Sequence, residues 1–172
     1  MTTLRDSIPV ALFGFGSQGR RIAHAISCQE DMKVVGIALN QPDLSAYLAS
    51  KIGHKIYCTN PHDMNAFEKA GVSVEDSVES LLEKAMVVVD CAPSGVGKQN
   101  KERFYQKSDV KAIFQAGEDP ATSDIPTFLS ALDFRKARKA RYVRIASPLA
   151  VSVARTLLPL AREFGVEEAS CH

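Results

Sequence analysis

No run of apolar residues in this 172-residue chain approaches the roughly 20 that a membrane-spanning helix needs, so no membrane partner is expected. The opening residues, Met1-Thr2-Thr3-Leu4-Arg5-Asp6, lack the apolar stretch of a secretion signal. The four cysteines, Cys28, Cys58, Cys91 and Cys171, are widely scattered and form no Cys-x-x-Cys pair. That argues against a disulfide framework and for a reducing, cytoplasmic setting. No two of the four histidines share a helix-face or finger-like spacing, so no metal site is expected. A net charge of +1 supplies no global attraction to nucleic acid or anionic lipid. Internal repeats, low-complexity tracts and flexible linkers are likewise missing.

What the chain does contain is an alternation of strand and helix signals. Residues 9–13, 33–39, 54–59, 86–90, 111–115 and 142–146 read as short strands, β-branched and apolar on both faces. Strands of that kind lie in a parallel sheet buried between two helical layers. The intervening segments 17–27, 43–52, 97–107 and 128–139 read as helices, as does the long final segment 148–164, with Pro159 inside it and Gly165 beyond it. Asp43 is an N-cap candidate. Asn60 followed by Pro61 starts a further helix that stops near Gly71. Asp76 and Glu79 fit a capping box for a helix running to Lys84. Residues 119–126 read as a loop. The resulting fold class is α/β, a Rossmann-type doubly wound and mostly parallel sheet with helices on both faces.

The first strand runs into Gly14-Phe15-Gly16-Ser17-Gln18-Gly19, a G-x-G-x-x-G turn that opens the first helix. Gly14 permits the tight turn. Gly16 lets the backbone approach a pyrophosphate without a Cβ in the way, and Gly19 lets helix and strand pack closely. Gly14, Gly16, Ser17, Gln18 and Gly19 are therefore candidate contacts to a dinucleotide, with the helix N-terminus facing the anion. Selectivity depends on the end of the second strand, Ala38-Leu39-Asn40-Gln41. Asn40 is the candidate contact there. A carboxylate binding the ribose 2′-hydroxyl would select NAD, but none is present. No cation stands in that tetrapeptide either, although Arg20 and Arg21 can reach a 2′-phosphate. NADP and NAD both remain open as cofactors.

Two further loops follow apolar strands and so fall at the same, ligand-binding edge of the sheet. Pro93, Ser94 and Gly95 in the first, and Gln115 and Gly117 in the second, are candidate contacts to the ribose or nicotinamide. Cys91 sits at a strand end, where it reads as a buried, inert thiol rather than a reactive one. The run Arg135-Lys136-Ala137-Arg138-Lys139-Ala140-Arg141 spreads its charge around a helix without interleaved aromatics. It reads as a solvated face, and nucleic acid is not expected as a partner.

Several blocks resemble the archaeal-type (type II) glyceraldehyde-3-phosphate dehydrogenases. They are the glycine turn, Pro42-Asp43, Phe67-Glu68-Lys69-Ala70-Gly71 and Val87-Val88-Val89-Asp90. Pro93-Ser94-Gly95-Val96-Gly97, Asn100-Lys101, Lys111-Ala112-Ile113-Phe114-Gln115-Ala116-Gly117-Glu118 and Tyr142-Val143-Arg144 complete the set. The resemblance is collinear over nearly the whole chain. It implies a nicotinamide-binding domain, usually NADP-capable, in a homotetrameric protein. Such proteins oxidise an aldehyde through a cysteine thiohemiacetal and form an acyl phosphate.

The chain also departs from that pattern. The family's nucleophile lies in a Ser-Cys-Asn-Thr-Thr block after the strand matching residues 142–146. Here the sequence is Ser147-Pro148-Leu149-Ala150-Val151, with proline in the cysteine position and no catalytic residue to replace it. The basic residue that the family often places near the 2′-phosphate is missing from Ala38-Leu39-Asn40-Gln41. Family members are longer, because a substrate domain follows the nucleophile block. Residues 166–171 read as the first half of its first strand. The expected division is thus a dinucleotide-binding domain over residues 1–146, then a terminal helix and the start of a missing substrate domain over 147–172. The expected function is an NAD(P)-binding domain of an oxidoreductase of this kind, inactive as this chain alone. The expected partners are the dinucleotide and either further copies of the chain or the missing domain. The alternative is a non-catalytic nucleotide-binding or redox-sensing module.

Overall fold

Residues of one parity on β1 (Ile8–Phe13) pack to one side of a sheet, and those of the other parity to the opposite side. Ala11 and Phe13 join one apolar cluster, Val10 and Leu12 another. The strand is apolar throughout because neither face meets water. The computed structural model of the chain describes residues 7–115 and 127–170.

The chain continues through α1 (Ser17–Ser27), β2 (Met32–Leu39), α2 (Leu44–Lys51), β3 (Ile56–Cys58), α3 (Met64–Lys69), β4 (Val74–Ser77) and α4 (Val78–Glu83). Next come β5 (Val87–Asp90), α5 (Val96–Arg103), β6 (Lys111–Phe114), β7 (Thr127–Phe128), α6 (Ser130–Ala137), β8 (Tyr142–Ile145) and α7 (Pro148–Phe164). The strands form one sheet in the order β4-β3-β2-β1-β5-β6-β8-β7, and every described pairing is parallel. One face is covered by α1, α2 and α3 through Ala23, Ile26, Ala46, Ala49 and Phe67. The other is covered by α4 and the segment after α5 through Val78, Leu81, Leu82, Phe104 and Tyr105. Burying each large apolar side chain contributes about 1.5–3 kcal/mol. The doubly wound, Rossmann-type sheet is therefore the observed architecture.

The direction of winding across the sheet reverses between β1 and β5. From β1 the chain winds outward through β2, β3 and β4, then crosses back to β5 on the other side of β1. A crevice opens where such winding reverses, at the carboxyl ends of the two central strands.

Local details differ from the sequence reading in several places. The cap of α4 is Ser77, whose side chain accepts from the Ser80 N–H, and not Asp76, whose carboxylate turns to the Ser77 N–H instead. The helix expected over 97–107 ends at Arg103 and passes into a 3₁₀ turn, Tyr105–Lys107. Phe128 pairs with Ile145 as the end of a short strand, so the following helix starts at Ser130. Finally, residues 166–170 form no strand. Their polar sequence has no neighbouring described strand with which to pair.

Candidate functional site

The loop from β1 into α1 has no side chain to cap the helix. Gly16 occupies the N-cap position, and the first turn carries no acidic residue. The first N–H groups of a helix have no partner within it, so here they point outward with the positive end of the helix dipole. Gly14 takes φ +88°, in the left-handed region that favours glycine. A Cβ on Gly19 would lie 2.4 Å from the Gly14 carbonyl oxygen, so only glycine permits this approach of α1 to the turn. Gly16 differs. A Cβ there would meet nothing within 4 Å. The space above Gly16 is open, as the close approach of a ligand's phosphate would require. Gly16, Ser17 and Gln18 are exposed, whereas Gly19 is buried.

The wall opposite is the loop from β5 into α5. A Cβ on Gly14 would stand 3.3 Å from the Cys91 carbonyl oxygen and 3.6 Å from the Ala92 nitrogen, so the loop leaves little room for a side chain at position 14. The Cys91 N–H donates to the Phe13 carbonyl at 2.8 Å, extending the β1–β5 pairing past the strand ends. Pro93, Ser94 and Gly95 follow, all exposed, with Gly95 at φ +82° as the N-cap of α5. The Gln115 N–H donates to the Asp90 carbonyl at 2.9 Å, which fixes the end of β6 beside β5. Gly117 lies outside the described residues. Asn40 follows β2 directly and is exposed at the same edge. Its neighbour Leu39 accepts from the Thr59 N–H at 3.0 Å, and Gly14 donates to Ala38 at 2.9 Å. The described candidates thus gather on one edge, on the ends of β1, β2, β5 and β6. Arg20 and Arg21 are exposed on α1 just beyond the turn.

A buried carboxylate beneath this edge escaped the sequence reading. Asp90, the last residue of β5, is 2% exposed. One oxygen accepts from the Ala92 N–H at 2.9 Å. The other accepts from Asn100 Nδ2 at 2.9 Å and from the Tyr105 hydroxyl at 2.7 Å. Burial and the neighbouring Asp90 hold the Tyr105 phenol well above its ordinary range, so its hydroxyl stays a donor. Burial, reinforced by Asp90, pushes the Cys91 thiol up to about 12. The thiolate is the nucleophilic form, and at neutral pH Cys91 is a thiol.

Position 148 begins α7. Ser147 is its N-cap, with the hydroxyl accepting from the Ala150 N–H at 3.2 Å, and Pro148 occupies the first turn. The serine hydroxyl is thereby engaged in capping. No residue of α7 is buried, and Leu149, Leu160 and Phe164 are among its exposed apolar side chains. A groove of about 790 Å³ opens elsewhere, at the amino edge of the sheet beside Ile8, Met86 and Lys111, away from the glycine turn. Among the described residues there is no group of three His, Cys, Asp or Glu side chains placed to hold a metal ion. No described helix is long and apolar enough to cross a membrane.

No family model matches the chain. Sequence comparison finds glyceraldehyde-3-phosphate dehydrogenase of Archaeoglobus fulgidus, 36% identical over 159 residues, which are 92% of this chain and 46% of that protein. Glyceraldehyde-3-phosphate dehydrogenase 1 of Methanosarcina acetivorans is 40% identical over 159 residues, again 92% of this chain and 47% of the relative. Among solved structures, aspartate semialdehyde dehydrogenase II from Vibrio cholerae, complexed with ASA, superposes with a TM-score of 0.65 at 13% identity. It covers 94% of this chain and 49% of its own. That likeness is one of fold. Over nearly all of its length, then, the chain is similar in sequence to archaeal glyceraldehyde-3-phosphate dehydrogenases, and it spans about half the length of those relatives.

Proposed function

We propose that the chain is an NAD(P)-binding domain of a glyceraldehyde-3-phosphate dehydrogenase-like oxidoreductase, and that it does not itself carry out aldehyde oxidation. The observation that carries the binding is the glycine turn. Gly14 and Gly19 are required by the protein's own packing, whereas the space above Gly16 is open and faced by helix N–H groups. Gly14, Gly16, Ser17, Gln18 and Gly19 would hold the pyrophosphate. Pro93, Ser94, Gly95, Gln115 and Gly117 would line the nicotinamide side, and Asn40 the adenosine ribose. When bound, the nicotinamide supplies a hydride acceptor. Sequence similarity to archaeal glyceraldehyde-3-phosphate dehydrogenases supports this reading.

Three observations support inactivity. Pro148 has no nucleophilic group, and the capping role of Ser147 ties its hydroxyl to Ala150. Cys91, at about 12, is not a thiolate at neutral pH. These same observations favour a second reading, a non-catalytic nucleotide-binding or redox-sensing module. A cytoplasmic location, assembly into homo-oligomers and a substrate domain supplied beyond this sequence belong to the same proposal.

The test is titration of the purified chain with NADPH and NADH, by calorimetry or nicotinamide fluorescence, followed by assay with glyceraldehyde-3-phosphate and phosphate. Binding without turnover is expected. NADPH is expected to bind the more tightly, and replacing Arg20 and Arg21 together by alanine is expected to equalise the two cofactors. An unchanged preference removes the arginines from 2′-phosphate recognition. Uptake of neither cofactor overturns the dehydrogenase reading. Turnover that survives Cys91→Ala and Cys171→Ala contradicts the assigned loss of the nucleophile.

A further inference from the structure

We infer that Asp90 is a positioning residue for the dinucleotide, acting through the backbone of the β5–α5 loop; this rests on the function proposed above. Asp90 stands in register opposite Phe13 of β1 on one side and Phe114 of β6 on the other. Its groups then join four separate pieces of chain. The carbonyl accepts from Gln115 at the end of β6. One carboxylate oxygen accepts from the Ala92 N–H, and the other from Asn100 on α5 and Tyr105 in the turn beyond it.

A carboxylate is costly to bury unless its oxygens are met by donors. Here the donors come from two directions, the loop above and the helical layer beside the sheet. The geometry of the loop is thereby referred to the core. That matters because the loop and the glycine turn interlock. The Cys91 N–H is bonded to the Phe13 carbonyl at 2.8 Å, and a Cβ on Gly14 would stand 3.3 Å from the Cys91 carbonyl oxygen, so the loop lies directly beside the turn. The Ala92–Asp90 bond keeps it from drifting away. Asp90 is itself buried, 2% exposed. It sets the separation of the two walls between which the cofactor would lie.

The test uses four variants of the whole chain: Asp90→Ala, Asp90→Asn, Asp90→Glu and Tyr105→Phe. Three quantities are measured. They are the Kd for NADPH and for NADH, the thermal midpoint, and the rate of iodoacetamide alkylation at Cys91 read from its peptide by mass spectrometry. Asp90→Ala is expected to weaken both cofactors about tenfold, the size of one lost charge-assisted hydrogen bond, and to speed Cys91 alkylation. Asp90→Asn keeps an oxygen for the Ala92 N–H and is expected to restore both readouts to within about threefold of wild type. Asp90→Glu displaces that oxygen by a methylene and is expected to bind as weakly as Asp90→Ala. Tyr105→Phe keeps the loop bond, so it lowers the thermal midpoint with an unchanged Kd. Folded Asp90→Ala that binds like wild type overturns the inference, whatever its midpoint. If Asp90→Ala does not fold, equal affinities in Asp90→Asn and Asp90→Glu overturn it instead. Wild-type protein that takes up neither cofactor overturns the function and, with it, this role.

Discussion

The three glycines of the turn serve different ends, and single methyl groups separate them. Alanine at 19 would drive its Cβ to 2.4 Å from a backbone oxygen, with no flexible side chain to give way. Overpacking of that kind costs about 1–3 kcal/mol, more than the roughly 1 kcal/mol that alanine gains in helix propensity. Gly19→Ala is therefore expected to lower stability in urea denaturation and to weaken NADPH binding together. At 16 the backbone has φ −66°, which any residue adopts, and the added methyl meets nothing. Gly16→Ala is expected to stay within about 0.5 kcal/mol of wild type in stability while losing about tenfold in NADPH affinity. The triplet spacing and the role of each glycine were legible in the sequence. The contact that makes Gly19 obligatory was not, because it depends on where the Gly14 carbonyl lies in space. Asp90 was hidden for a related reason. Its partners Asn100 and Tyr105 stand ten and fifteen positions further on, in elements whose contact only the fold reveals.

Among elements, capping separates the legible from the illegible. Asp43 was readable as the start of α2, and its carboxylate accepts from Ser45 and Ala46 at 2.8 and 3.1 Å. The helix is only eight residues long and has no acid in its first turn. Asp43→Ala is expected to cost about 1 kcal/mol in chemical denaturation. β4, Val74-Glu75-Asp76-Ser77, showed no strand signal, since an edge strand with two acids has no apolar periodicity. Those acids, with Glu75 paired to Lys55 at 3.5 Å, discourage pairing of a further strand at that edge. The cap of α4 was misplaced by one residue because Asp76 and Ser77 are both good caps. The choice fell to Ser77, the last residue of β4. The strand expected over residues 166–171, of which 166–170 are described and form none, rested on no pairing partner.

For the molecule as a whole, fold class was legible because apolar strands buried on both faces admit few arrangements. Strand order was less so, since β7 and β4 are short and polar. The order matters for how the chain reaches its native state. β1, the first described strand along the chain, lies at the centre of the sheet, and its partner on one side is β5, with Val10 opposite Val87. During synthesis at about 5–20 residues per second, that side of β1 waits roughly 4–15 s for its partner to emerge. An open apolar strand edge held for that long is a template for association between nascent chains. Parallel pairings of such sequence separation also close slowly, because loop entropy is lost before contacts form. The strand that carries the glycine turn is thus the one with most to gain from shielding by a chaperone while the rest of the chain is made.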